Sequence, residues 1–166
     1  MNKIKLRKLE EKDAKFMLEW MHDVSVVEFL QTEFSSKTID DCKNFIYNAA
    51  NDSQNLHLAI VDNDDEYMGT VSLKHIKEKS AEFAITVRKK AMKKGYAAEA
   101  MHHIIRIGIN ELNLTNIYWC VSSKNIRAIK FYDKNMYTRI DKKYINFEVE
   151  YTQEQVEKYI WYKYEV

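Results

Sequence analysis

Residues 92–100 read Met92-Lys93-Lys94-Gly95-Tyr96-Ala97-Ala98-Glu99-Ala100, a loop running straight into a helix. The chain has three glycines and no proline, so a glycine at this junction marks backbone that bends sharply or approaches something closely. A loop between a strand and a helix N-terminus presents unpaired N–H groups and the positive end of the helix dipole, a natural anion site. Dipole attraction contributes roughly 0.3–1 kcal/mol there, so useful affinity for a phosphate requires several N–H bonds with Lys93 and Lys94 nearby. The stretch is neither GxxxxGK[ST] nor GxGxxG, which removes the NTPase and dinucleotide readings. Taken alone, it leaves a second reading open: a helix-start glycine that permits tight packing.

Working outward, Ser80 to Val87 (SAEFAITV) is a strand leading into the loop, and the helix beyond runs from about Lys94 to Leu112. Its apolar face is Ala97, Met101, Ile104, Ile105, Gly108 and Leu112. Upstream, Leu56 to Asp62 and Tyr67 to Ile76 are strands joined by a polar hairpin turn, so three strands form an antiparallel meander. Before them, Ile4 to Leu9 alternates as an edge or half-buried strand. Asp13 is placed to cap an amphipathic helix, Ala14 to His22, with Phe16, Met17, Trp20 and Met21 inward. Thr38 caps a second helix with Ile39, Cys42, Phe45, Ile46 and Ala49 as its stripe. Downstream come a strand, Asn116 to Ser123, a short helix, Asn125 to Asn135, and extended tyrosine-rich segments ending in YIWYKYE. The order β-α-α-β-β-β-α-β-α-β-β describes a mixed α/β domain.

A length of 166 residues suits one domain that buries roughly 70% of its unfolded surface. No apolar run approaches the roughly 20 residues that span a bilayer, and the N-terminal stretch is not a secretory signal, so a cytoplasmic location is expected. Cys42 and Cys120 are too few for a disulfide framework or a zinc knuckle and read as free thiols. A net charge of +1 hides an asymmetry: residues 1–70 hold 8 Lys and Arg against 14 Asp and Glu, and residues 71–166 hold 18 against 11. The back half would then handle an anionic ligand and the front half a cationic one, unless these are simply solvated faces.

Thirty residues beyond the glycine, Asn125 and Tyr132 stand seven apart on a helix, which places them on one face about 10 Å apart along the axis. One ligand can touch both. At this point the sequence resembles the GCN5-related N-acetyltransferase (GNAT) superfamily, in a block from Ala81 to Tyr137. Its acetyl-CoA loop, Gln/Arg-x-x-Gly-x-Gly/Ala, is filled here by Met92 to Ala97, with Met92 at the position of the usual Gln or Arg. The N-x-x-A-x-x-x-Y element is present as Asn125, Ala128 and Tyr132, followed by Met136-Tyr137 in place of Gly-Phe. Leu18 to Leu30 resembles the first helix and turn of the branch holding ribosomal-protein N-terminal, spermidine and amino-sugar acetyltransferases.

The resemblance implies a mostly antiparallel central sheet with helices on both faces, and strands splayed at the acetyl-CoA site. It implies that backbone of Phe83, Ala84, Ile85 and Val87 holds the pantetheine arm. It places the pyrophosphate on Lys93, Lys94, Gly95, Tyr96, Ala97 and Ala98, with Asn125 also at the cofactor. An amine attacks the thioester directly, Tyr132 returns a proton to the leaving sulfur, and Glu82 is the candidate base. Glu28 and Glu33 are candidates for attracting the amine.

Other features fit less chemistry. Cys120 reads as a buried inert thiol; His102 and His103 diverge by about 100° on their helix and cannot form a metal pair; His75 reads as a surface histidine. The basic run Arg88-Lys89-Lys90 coincides with the expected phosphate surface of CoA rather than with a nucleic-acid patch. The expectation is therefore an acetyl-CoA-dependent N-acetyltransferase without a metal, acting on a small amine such as an amino-sugar nucleotide, a polyamine or an aminoglycoside. Protein N-termini and a non-catalytic CoA-binding module are the alternatives, and the oligomer expected is a monomer or a homodimer. The last strand, with aromatic residues on both faces, could pair with a neighbouring chain.

Overall fold

A computed structural model of the chain describes residues 3–145, 151–164 and 166. Seven strands form one sheet among the described residues: β1 (Lys5–Lys8), β2 (Leu56–Val61), β3 (Tyr67–Lys77), β4 (Ser80–Val87), β5 (Asn116–Ser122), β6 (Thr138–Ile140) and β7 (Tyr159–Tyr164). Their order is β1-β2-β3-β4-β5-β7-β6, antiparallel throughout except for the parallel pair β4 and β5.

Alternation within the strands sends side chains to both faces, and helices cover each face. On β2, Ile60 belongs to the core on the side of α4 (Tyr96–Asn110), which also holds Ala100, Met101 and Ile104. Its neighbours Ala59 and Val61 point the other way, onto α1 (Ala14–Met21) and α3 (Ile39–Ala49) through Met17, Trp20, Cys42 and Ile46. Each Ile, Val or Met side chain among these contributes roughly 1.5–3 kcal/mol on burial. A short α2 (Val24–Val27) follows α1, α5 (Ile126–Lys134) follows β5, and α6 (Gln153–Lys158) precedes β7.

The expected order holds except for two short helices it lacks, α2 and α6, and for local corrections. Thr38 caps α3 as read, in a reciprocal box with Asp41. Asp13 does not cap α1, because its buried carboxylate turns back to take a two-pronged pair from Arg7 at 2.8 and 2.9 Å and the N–H of Glu10. Helix α4 starts at Tyr96 rather than Lys94, since Gly95 sits at φ +87°, outside helical space. The closing segments are not all extended: α6 interrupts them, capped by Thr152, while residues 146–150 of that expectation lie outside the described residues. Strand β7 is interior rather than the sheet's edge strand, paired with β5 on one side and, through Trp161, Tyr162 and Lys163, with β6 on the other. Aromatic side chains occupy both of its faces because both are covered: Trp161 packs toward Val156 of α6, and Tyr162 stacks on Trp119 at 5.7 Å.

Candidate active site

Strands β4 and β5 pair for only three rungs, Ser80 with Asn116, Ala81 with Ile117 and Glu82 with Tyr118. Beyond Glu82, β4 keeps its β3 partners as far as Val87, yet no ladder to β5 continues among the described residues. The two strands part, leaving one edge of residues 83–87 without β5. A cavity of about 570 Å³ opens beside this gap, walled by Ile85, Thr86 and Val87, by the loop with Met92, Lys93 and Gly95, and by α5.

The loop's shape follows from two residues in the left-handed region, Lys93 at φ +61° and Gly95 at φ +87°. A Cβ on Gly95 would meet nothing within 4 Å. Packing therefore does not demand this glycine; backbone conformation does, and the bare face lines the cavity. The N-cap supplies no side-chain acceptor, so the N–H groups of Ala97 and Ala98 in the first turn of α4 have no intrahelical partner and lie at the cavity wall. The Met92 side chain is half-buried against the core under α1 and α3, which anchors the loop by apolar contact where the family motif has a polar residue.

On the facing wall, Asn125 caps α5 by accepting from the Ala128 N–H at 3.2 Å, and Tyr132 lies one face-repeat on, 8% exposed. Rings of Trp119, Tyr162, Phe131 and Tyr137 surround Tyr132 at 5.0–6.4 Å. Burial pushes its phenol well above the usual range, so it keeps its proton. Phe83 packs edge-on to Trp119 at 5.4 Å, behind the same gap.

Of the expected cofactor residues, the cavity thus gathers Ile85, Val87, Lys93, Gly95, Tyr96, Ala97, Ala98 and Asn125, together with Tyr132. Phe83 is buried in the core, Ala84 faces the other side of the sheet, and Lys94 is exposed outside the lining. Arg127, Lys130 and Lys134, which sequence reasoning passed over, also line it. Their spacing of three and four along one helix was the signal available.

Two members of the run Arg88-Lys89-Lys90, Arg88 and Lys90, are turned to carboxylates of the protein itself, and Lys89 is exposed. Arg88 is 4% exposed; its guanidinium clamps Glu19 at 2.6 and 3.0 Å, reaches Glu66 at 2.7 Å and the Tyr67 carbonyl at 2.8 Å, and lies over the Phe16 ring. Lys90 also pairs with Glu66, at 2.8 Å. Part of the opposite charge of the two halves is therefore spent between them.

Glu82 leaves β4 on the face opposite Tyr132. It is 3% exposed, with Oε1 accepting from the Tyr151 hydroxyl and lying 3.7 Å from Lys74 Nζ. Its Oε2 is 3.8 Å from His75 Nε2 and makes no hydrogen bond among the described residues. His75 is thus turned toward this carboxylate rather than lying idle on the surface. Cys120, on the same face of β5, is half-buried with its thiol pushed up to about 12 by burial, an unreactive form. Glu28 and Glu33 are exposed and outside the cavity lining; the Glu33 carboxylate is occupied by Ser35 and Ser36, whose hydrogen bonds hold it down to about 2.

A larger hollow, about 820 Å³, runs along β6 and β7. Of the cations lining it, Arg139 pairs with Asp133, Lys158 with Glu154 and Lys142 with the Glu157 carbonyl, and no residue of β4 or of the Gly95 loop lines it. The smaller cavity is the candidate site.

A sequence model described as "Acetyltransferase (GNAT) domain" matches residues 3–138. The chain belongs to the GNAT acetyltransferase family. Comparison with curated proteins gives no match. Among solved structures, spermidine N-acetyltransferase from Vibrio cholerae in complex with CoA and spermine superposes at a TM-score of 0.76 with 20% identity, over 96% of this chain and 92% of that one. A chimera of that Vibrio cholerae enzyme with hSSAT gives a TM-score of 0.77 at 19% identity, covering 98% and 95%. A GNAT-family acetyltransferase from Bacillus anthracis gives 0.76 at 18%, covering 99% and 96%. At such identities the likeness carries the fold, and the family assignment rests on the domain match.

Proposed function

We propose that this acetyltransferase moves the acetyl group of acetyl-CoA to a primary amine of a small molecule, with polyamines, amino-sugar nucleotides and aminoglycosides as the acceptor classes to test. The observation that carries the reading is the parting of β4 from β5 after Glu82, directly beside the Gly95 loop and Tyr132. The cavity fits the group: backbone N–H donors of Ala97 and Ala98, a bare glycine face, and the cations Lys93, Arg127 and Lys130 suit a polyphosphate. Residues 83–87 offer an unpaired strand edge to an extended amide-bearing arm.

Bound acetyl-CoA supplies the activated acyl group as a thioester. Tyr132, kept protonated by burial, is the proton donor to the departing sulfur. An N–H on the free edge of β4 stabilises negative charge developing on the carbonyl oxygen. Glu28 and Glu33 remain candidates for drawing the amine to the surface. The solved relative whose structure holds CoA and spermine adds support for a polyamine acceptor.

The test is thiol release from acetyl-CoA with a panel of polyamines, amino-sugar nucleotides, aminoglycosides and peptides, run on native protein and Tyr132→Phe. Turnover on a small amine is expected, with kcat lowered about 10²-fold or more in the variant and little change in acetyl-CoA KM. CoA binding without turnover on any amine would replace this reading with a non-catalytic CoA-binding module, and turnover on peptides alone with protein N-terminal acetylation.

A further inference from the structure

Trp119 is the first residue of β5 beyond its last rung with β4, so it stands at the apex of the splay. It lies opposite Tyr162 of β7, and Tyr162 lies opposite Arg139 of β6, the outermost strand on that side. Partners directly opposite share a face, so the three side chains form one row from the splay to the edge of the sheet. The rings of Trp119 and Tyr162 stack at 5.7 Å with 8° between their planes, and the Arg139 guanidinium lies 5.9 Å from the Tyr162 ring centre. Helix α5 lies against this row. Tyr132 meets both rings, Trp119 at 5.5 Å and Tyr162 at 5.0 Å. The next residue, Asp133, accepts from the Tyr162 hydroxyl at 3.0 Å and from the Arg139 guanidinium at 3.1 and 2.5 Å. The Arg139 bonds hold the Asp133 carboxyl below the usual carboxylate range, so it is an ionised acceptor at neutral pH.

Apolar ring contacts are non-directional: they keep Tyr132 buried without fixing how the helix is rolled about its axis. A hydrogen bond is directional. Successive helix residues project about 100° apart, so Tyr132, sunk among the rings, and Asp133, tied to the sheet, are two points that together set the roll of α5. We propose that Tyr162 is a positioning residue for acetyl transfer: by donating to Asp133 it fixes that roll and holds the Tyr132 phenol toward the departing sulfur at the splay. The inference rests on the reading above in which Tyr132 is the proton donor, and it adds the group that aims it. Tyr162 is wholly buried and outside the cavity lining, so it acts through Tyr132, which does line the cavity. The long, flexible side chains of Lys130 and Lys134 absorb a small roll of the helix that carries them, whereas a phenol on its short stem does not. Loss of the tie therefore falls on proton delivery rather than on hold of the cofactor.

The decisive measurement is steady-state kinetics on the native protein, Tyr162→Phe, Asp133→Ala, Tyr132→Phe and the Tyr132→Phe, Tyr162→Phe pair, with an amine the native protein accepts. Tyr162→Phe keeps the ring contacts and removes only the donor, and Asp133→Ala cuts the same bond from the other side. Each is expected to lower kcat about tenfold while acetyl-CoA KM stays within about twofold of native. The pair is expected to be as slow as Tyr132→Phe alone, because a helix that no longer carries the phenol has nothing left to aim. A Tyr162→Phe variant with native kcat would show that the bond positions nothing. Additive losses in the pair, or an Asp133→Ala variant at the native rate beside a slow Tyr162→Phe, would show that Tyr162 acts by some route other than this tie. Any of these overturns the inference alone. A Tyr132→Phe variant at the native rate would instead remove the proton donor on which it rests, and a native protein silent with every amine would remove the function itself.

Discussion

Gly95 holds a backbone angle of +87° and borders a space with no atom within 4 Å of its missing Cβ. An alanine there would cost about 1–2 kcal/mol in the left-handed conformation and meet no clash in the free protein. The same methyl would stand where a ligand has to approach the N–H groups of α4. Gly95→Ala should therefore lower thermal stability modestly and reduce the stabilisation conferred by saturating CoA much more, measured as the difference in Tm with and without CoA. A variant stabilised by CoA as strongly as native would take Gly95 out of the site. Sequence alone left helix packing as nearly as good an explanation for this residue, because a glycine's neighbours are three-dimensional facts. The glycine that packing does require is Gly69, where a Cβ would come within 2.4 Å of the Thr86 carbonyl oxygen on β4.

At the scale of elements, Arg88 joins three pieces: its own position just past β4, α1 through Glu19, and the β2–β3 hairpin through Glu66 and the Tyr67 carbonyl. The guanidinium is buried while both carboxylates keep partial access to water, so removing it strands less charge than breaking a fully buried pair. Arg88→Leu should destabilise the fold by about 2 kcal/mol, a drop of roughly 4–8 °C in Tm for a chain of this size, checked by calorimetry. An unchanged Tm would mean the clamp is idle. Periodicity located β2 to β5, α1, α3, α4 and α5 almost to the residue, since each buries one face at a fixed repeat. It missed α2 and α6, which are too short to show a repeat, and read Arg88-Lys89-Lys90 as one surface because a charge run does not say which member turns inward. Glu19 lies 69 residues from Arg88, and Tyr151 lies 69 from Glu82. Pairs at that separation carry no local signature, so the loop and Tyr132 were legible and the surroundings of Glu82 were not.

For the whole molecule, a net charge of +1 gives little global steering, so attraction of a polyanion has to come from where the cations stand. Arg88 and Lys90 are neutralised by Glu19 and Glu66, whereas Lys93, Arg127, Lys130 and Lys134 surround one cavity. Such a cluster acts over a Debye length, about 10 Å at 0.1 M salt and roughly 3 Å at 1 M. Acetyl-CoA KM should therefore rise several-fold from about 0.05 M to about 0.5 M NaCl. Lys130→Gln with Lys134→Gln should raise KM at low salt and flatten the dependence, because fewer charges remain to be screened. Lys90→Gln should leave the slope as it is, its charge being already paired. The comparison of slopes separates local attraction from bulk effects of salt on the enzyme, which would act on every variant alike; parallel slopes in all three proteins would show that the cavity's cations do not recruit the cofactor.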